Sequence, residues 1–133
     1  SHVLLAFVDL DGFKTINDQH GHAVGDQLLQ TMARQLRAAS RDSDFTARLG
    51  GDEFVVVGTS SVAHADALHA QAELQQRLSL ATQCDIALPS LPLLHYAGAS
   101  VGVVQPALTS PSDALAQADA AMYATKQGRA QER

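Results

Sequence analysis

The chain is short of cysteine, of positive charge and of long apolar runs, and each shortage closes a class of function. One cysteine, Cys84, stands among 133 residues, so no internal disulfide can form. No Cys/His pattern has zinc-ligand spacing either. A reducing, cytoplasmic setting is the expectation. Nine Lys and Arg face 14 Asp and Glu, for a formal net charge of -5. A chain that neutralised nucleic-acid or lipid phosphates with its own cations would be basic, so neither nucleic acid nor a membrane is an expected partner. The longest apolar run near the start, Val3 to Val8, is too short to span a bilayer and lacks the flanks of a signal peptide. Internal repeats and low-complexity tails are missing as well.

What remains is one domain's worth of chain, 46% hydrophobic, with a core to bury. "HVLLAFVDLDG" reads as a buried strand ending in acids and a glycine. "GDQLLQTMARQLRAAS" sets Leu28, Leu29, Met32, Ala33 and Leu36 on one helical face, with Asp26 near the positive end of the dipole. Two short strands, Phe45 to Leu49 and Glu53 to Val57, flank Gly50 and Gly51 and predict a hairpin. "VAHADALHAQAELQQRLSLA" predicts a second helix. Pro89 and Pro92 break up the next stretch into a loop with at most one edge strand. "GASVGVV" is a strand, and a last helix runs from a cap at Ser110 or Ser112 to Gly128. This order predicts an α+β fold: a ferredoxin-like, palm-type, antiparallel-rich sheet covered by helices on one face.

Eight of the 14 acids lie in the first 53 positions. The predicted topology brings Asp9 and Asp11, at the end of the first strand, beside Asp52 and Glu53 on the hairpin. Carboxylates converging without cysteine suit a hard divalent cation such as magnesium, which takes oxygen ligands and keeps water and phosphate oxygens. Two such ions can activate an attacking hydroxyl and neutralise a leaving pyrophosphate. The glycines would let a large ligand lie against the hairpin backbone. Asp and Gly at strand ends are also ordinary turn chemistry. An EF-hand is excluded, since Gly12 falls at loop position four rather than six.

"DLDGFKTINDQHGHAVGD", "RLGGDEF", "ASVGVV" and "ADAAMYATK" resemble, in order, the successive motifs of the GGDEF family of diguanylate cyclases, over Val3 to Arg129. The resemblance implies that residues 1–133 form one such domain, with a GGDEF β-hairpin. It also implies condensation of two GTP to cyclic di-GMP and pyrophosphate, across two facing domains and with Mg2+ or Mn2+. By resemblance, Asp9, the Leu10 carbonyl, Asp52 and Glu53 hold metal, and Asp52 or Glu53 assists deprotonation of the 3′-hydroxyl. Asn17 and Asp26 resemble the guanine-reading residues, since Asn and Asp can answer both donors and acceptors of that base. His22 resembles a further substrate contact, and Gly50 and Gly51 the platform beneath the nucleotide. Lys14 resembles the cation that stabilises charge on the reacting phosphates, and Gly12 and Phe13 backbone donors to them. Lys126 and Arg129 resemble a pair reaching the triphosphate, although "KQGR" is one residue shorter than the family's spacing. Arg41 and Asp44, in "RDSD", resemble an inhibitory site at which cyclic di-GMP binds back.

Several of these residues have plainer readings. His22 alone would be a loop histidine, Asn17 a helix-end residue, and Lys126 with Arg129 a complement to a helix dipole. Arg41 and Asp44 would be a weak surface pair. The family's first helix, with its Asp-x-Leu-Thr-Gly-Leu-x-Asn-Arg signature, is not in the sequence, which suggests a piece cut from a longer polypeptide or a variant lacking it. The alternative function is a catalytically silent regulatory domain that binds GTP or cyclic di-GMP. A purely structural palm-like dimerisation domain would leave the clustered acids unexplained.

Overall fold

The computed structural model describes residues 2–41, 44–60, 66–88, 93–105, 120 and 122–128. The elements run β1 (His2–Asp9), α1 (Phe13–His20), α2 (His22–Ala39), β2 (Phe45–Gly50), β3 (Glu53–Ser60), α3 (Ala67–Ala81), β4 (Cys84–Ile86), β5 (Leu94–Tyr96) and β6 (Ser100–Val104). Residues 122–128 are helical. Four strands form an antiparallel sheet in the order β2-β3-β1-β6, the ferredoxin-like arrangement expected.

β1 is apolar without interruption because it lies inside the sheet and is buried on both faces. Leu4, Ala6 and Val8 join Leu28, Met32 and Leu36 of α2 and Leu74 and Leu78 of α3 in the main core. Leu5 and Phe7 face the other way, against Val55 and Met122. Helices therefore cover both faces, not one. Among the described residues, Met122 makes the contact of that second cover with the sheet.

Two further elements differ from expectation. "FKTINDQH" is a helix, α1, that buries only Ile16, so no apolar period announces it. Gly21, at φ 91°, separates it from α2, which begins at His22 and sets Asp26 in its second turn. Between the helix and β6, Cys84–Ile86 and Leu94–Tyr96 pair as a two-stranded sheet, where a loop with one edge strand was expected. Three-residue strands are too short for alternation to register. The hairpin strands run to Gly50 and Ser60, beyond the predicted ends. Ser110 and Ser112 lie outside the described residues.

The open edge of β6 is closed by side chains. Gln75 Nε2 donates to the Val101 carbonyl at 2.9 Å and Gln71 Nε2 to that of Val103 at 3.3 Å. Thr125 Oγ1 also donates to the Val101 carbonyl, at 3.2 Å. These bonds fasten α3 and the 122–128 segment to the strand beside the acidic end of β1.

Candidate active site

The chemistry collects where β1 ends against the hairpin tip. Asp9 pairs in register with Glu53 on one side and Ser100 on the other. The Leu10 N–H donates to the Asp52 carbonyl at 3.0 Å, locking the turn after β1 to the hairpin. Gly51, at φ 45°, makes that tip in a conformation a side chain would disfavour. Arg48 Nε donates to its carbonyl at 3.0 Å.

Asp9 is 8% exposed. Lys126 Nζ meets its Oδ2 at 2.6 Å, whereas its Oδ1 is buried without a hydrogen-bond partner. Burial pushes the Asp9 pKa up, Lys126 pulls it down, and the charge of Asp52 raises it again, leaving it above the ordinary carboxylate value. Burial works against the Lys126 charge, but the bond to Asp9 and the charges of Asp9, Asp11 and Asp52 raise its pKa. The locality is thus electron-rich and only partly neutralised.

Among the described residues no group of three or more His, Cys, Asp or Glu side chains is placed to hold a metal by itself. The donor set nevertheless fits a hard divalent cation that brings further oxygen ligands with it, because such an ion can be held by one or two carboxylates beside phosphate and water oxygens. The orphaned Asp9 Oδ1 supplies the acceptor such an ion requires.

Asn17, on α1, packs against Gly25 of α2 so closely that a Cβ there would fall 1.8 Å from its Oδ1. That oxygen is buried and unpartnered. Asp26 is the next residue along α2 and is exposed, as are His22 and Lys14. Gly12 and Phe13 open α1, whose N-terminus has no side-chain cap. Gly50 is exposed at the hairpin tip with Gly51. Arg129 lies outside the described residues.

Arg41 and Asp44 form a separate unit at the α2–β2 connection. The Arg41 N–H donates to Asp44 Oδ2 at 2.8 Å, and the Asp44 N–H donates to the Arg41 carbonyl at 2.9 Å. Asp44 Oδ1 is buried and unpartnered. A groove of about 340 Å³ opens beside them, and Arg37 adds a second guanidinium to its lining. Nothing in the spacing had singled out Arg37. It also had not singled out Ser100 or Tyr96, whose hydroxyls bond to Asp11 from 89 and 85 positions away.

Residues 1–132 match the family model described as "Diguanylate cyclase, GGDEF domain". The chain belongs to the GGDEF family. It is 37% identical over 126 residues to "Diguanylate cyclase DgcP" of Escherichia coli strain K12, covering 93% of this chain and 35% of that protein. The chain thus spans about a third of that relative's length. Among solved structures it resembles the diguanylate cyclase SiaD of Pseudomonas aeruginosa, solved in complex with its activator SiaC. The TM-score is 0.81 at 29% identity, over 96% of this chain and 47% of that one. The GGDEF domain of DgcB from Caulobacter crescentus, solved in complex with c-di-GMP, aligns with a TM-score of 0.73 at 29% identity, over 95% of this chain and 72% of that one. GGDEF diguanylate cyclases generally use a divalent metal. No helix among the described residues is long and apolar enough to cross a membrane.

Proposed function

We propose that this GGDEF domain is catalytically competent: a cytoplasmic diguanylate cyclase unit that joins two GTP into cyclic di-GMP against a second domain of its kind. One observation supports this most. Of the buried side-chain atoms without a hydrogen-bond partner, Asp9 Oδ1, Asn17 Oδ1 and Asp44 Oδ1 each belong to one of the residues assigned to metal, guanine and product respectively. Leaving a buried acceptor unpaired costs about 1–3 kcal/mol, so three such costs at three ligand positions point to partners supplied by ligands. Gln35 Oε1 and Arg77 Nε are also unpartnered, and nothing in the structure explains them.

Asp9, the Leu10 carbonyl, Asp52 and Glu53 would hold Mg2+ or Mn2+. The bound ion supplies charge neutralisation on the reacting phosphates and a more acidic 3′-hydroxyl. The remaining work belongs to the chain. Asn17 and Asp26 read the guanine edge, with His22 as a further contact. The N–H groups of Gly12 and Phe13, at an uncapped helix start, donate to phosphate oxygens. Lys14, Lys126 and Arg129 oppose the charge on the triphosphate, while Gly50 and Gly51 give the nucleotide a flat bed. Asp52 or Glu53 accepts the proton of the 3′-hydroxyl as it attacks the α-phosphorus of the GTP on the partner domain, whose bond to the bridging oxygen breaks and releases pyrophosphate. Arg41 and Asp44 take back the product, with the guanidinium forked onto a guanine edge or a phosphate.

The test is incubation of the chain at high concentration with GTP and Mg2+, with chromatography for cyclic di-GMP and pyrophosphate. Product formation is expected. Binding of GTP without any product at concentrations that enforce pairing would assign the domain to the silent regulatory class instead.

A further inference from the structure

Asp9 and Asp11 sit two residues apart and are each 8% exposed, yet they are held differently. Asp11 is gripped from outside its own turn. Ser100 Oγ donates to Asp11 Oδ1 at 2.7 Å, and the Tyr96 hydroxyl donates to the Asp11 backbone carbonyl at 3.0 Å. Ser100 is wholly buried and Tyr96 is 6% exposed, so neither bond is open to exchange with solvent. Upstream, the fully buried Thr82 accepts the Ala99 N–H on its Oγ1 at 2.9 Å, which fixes the entry to β6 just before Ser100.

The direction of these bonds has a consequence. The Asp11 carbonyl and the Gly12 N–H belong to one peptide plane, trans like every other in the described chain. Holding the carbonyl on the Tyr96 hydroxyl therefore aims the Gly12 N–H to the opposite side. The Leu10 carbonyl is bracketed in the same way. The Leu10 N–H is tied to Asp52, and the next residue, Asp11, is tied to Ser100 and Tyr96. β5 lies outside the main sheet, and its last residue delivers the phenol that closes this bracket.

We propose that Ser100 and Tyr96 are positioning residues for the Leu10–Gly12 turn and set how tightly that turn holds a metal-bound guanosine triphosphate. The inference rests on the nucleotide reading of the site given above. Neither side chain touches the ligand. Each acts through Asp11, Ser100 on its carboxylate and Tyr96 on its peptide plane. Outer partners of this kind typically change metal affinity or activity by about 10–100-fold when removed.

The test uses the intact chain and 3′-deoxy-GTP, which lacks the attacking hydroxyl and so reports binding without turnover. The Mn2+ concentration giving half-maximal nucleotide binding is measured by calorimetry for wild type, Tyr96→Phe, Ser100→Ala and Ile86→Val. Ile86 is a residue of the small sheet, buried in the same core cluster as Tyr96 and without a hydrogen-bonding side chain, and its variant controls for loosened packing. Tyr96→Phe keeps the ring and loses only the bond, so it carries the test even if Ser100→Ala does not fold. The expected result is a rise of roughly tenfold in the Mn2+ requirement for Tyr96→Phe, and at least as large a rise for Ser100→Ala. Ile86→Val should keep the wild-type requirement. Wild-type requirements in Tyr96→Phe, or an equal rise in Ile86→Val, would overturn the positioning role while leaving the nucleotide site standing. Failure of the wild-type chain to bind 3′-deoxy-GTP at any Mn2+ concentration would overturn the site and this inference together.

Discussion

Replacing Lys126 by Met should make the protein bind a free divalent ion more tightly and a metal-bound nucleotide more weakly. The ammonium lies 2.6 Å from Asp9 Oδ2, so in the ligand-free protein it competes with a cation for that carboxylate. Two unit charges about 4 Å apart interact by about 4 kcal/mol at an effective dielectric of 20. The Lys126 side chain is 40% exposed while that of Asp9 is 12% exposed, so solvent screens a good part of this. A residual effect of roughly 1–2 kcal/mol corresponds to about a tenfold gain in free Mn2+ affinity. Met keeps the packing of the stem, so the fold should survive with modest loss. If Lys126 also reaches the triphosphate, as proposed, Mn2+ with 3′-deoxy-GTP should bind less tightly in the same variant. Mn2+ titration followed by electron paramagnetic resonance, with and without nucleotide, reads both. A folded variant whose free Mn2+ affinity is unchanged or reduced would refute the competition, and with it the electrostatic account of this corner.

Asp52→Asn should abolish cyclisation, a loss of several kcal/mol of transition-state stabilisation, while circular dichroism stays native; near-normal turnover would remove Asp52 from the mechanism. Because the folded pKa of Asp9 is raised, its contribution to stability is fully present below its unfolded value, near 3.8, and is lost as pH rises through the folded value. Metal-free Asp9→Asn should thus be at least as stable as wild type at neutral pH, with the gap closing toward pH 4, whereas a variant clearly less stable at pH 7 would contradict this. Gly25→Ala would set a methyl group on Asn17 Oδ1 and push that amide aside, so GTP should bind weakly and discriminate poorly against ATP in calorimetry. Arg41→Ala should lose roughly 1.5–3 kcal/mol of cyclic di-GMP binding without losing turnover, and equal product affinities for the two proteins would retire the inhibitory site.

How far the sequence carries depends on what each element must bury. β1 was legible because a strand covered on both faces has to be apolar throughout. α2 was legible because Leu28, Met32 and Leu36 repeat every four residues against the sheet. α1 has one buried residue, Ile16, and is bounded by Gly12 and Gly21, so no period could reveal it. The three-residue strands carrying Cys84 and Tyr96 are shorter than any pattern. In the site, Asp9, Asp52 and the paired glycines could be found from local spacing, since strand ends and a turn bring them together. The Lys126 contact with Asp9 spans 117 positions, and the resemblance had pointed its ammonium at phosphate rather than at a carboxylate.

The two aspartates of "VDLDG" show why bonding, rather than motif, divides the roles at such a site. By residue type they are interchangeable, and by exposure they are equal. A buried carboxylate must find donors for its charge or give that charge up. Asp11 finds a hydroxyl from Ser100 within the fold. Asp9 has one oxygen on Lys126 and another with none, beside a second carboxylate at Asp52, and its raised pKa reflects that discomfort. A cation placed at Asp9 would relieve burial, repulsion and the missing partner at once. Asp11 is therefore held by the fold's own donor while Asp9 keeps an oxygen without one, and it is this difference that the proposed metal and nucleotide reading of Asp9 rests on.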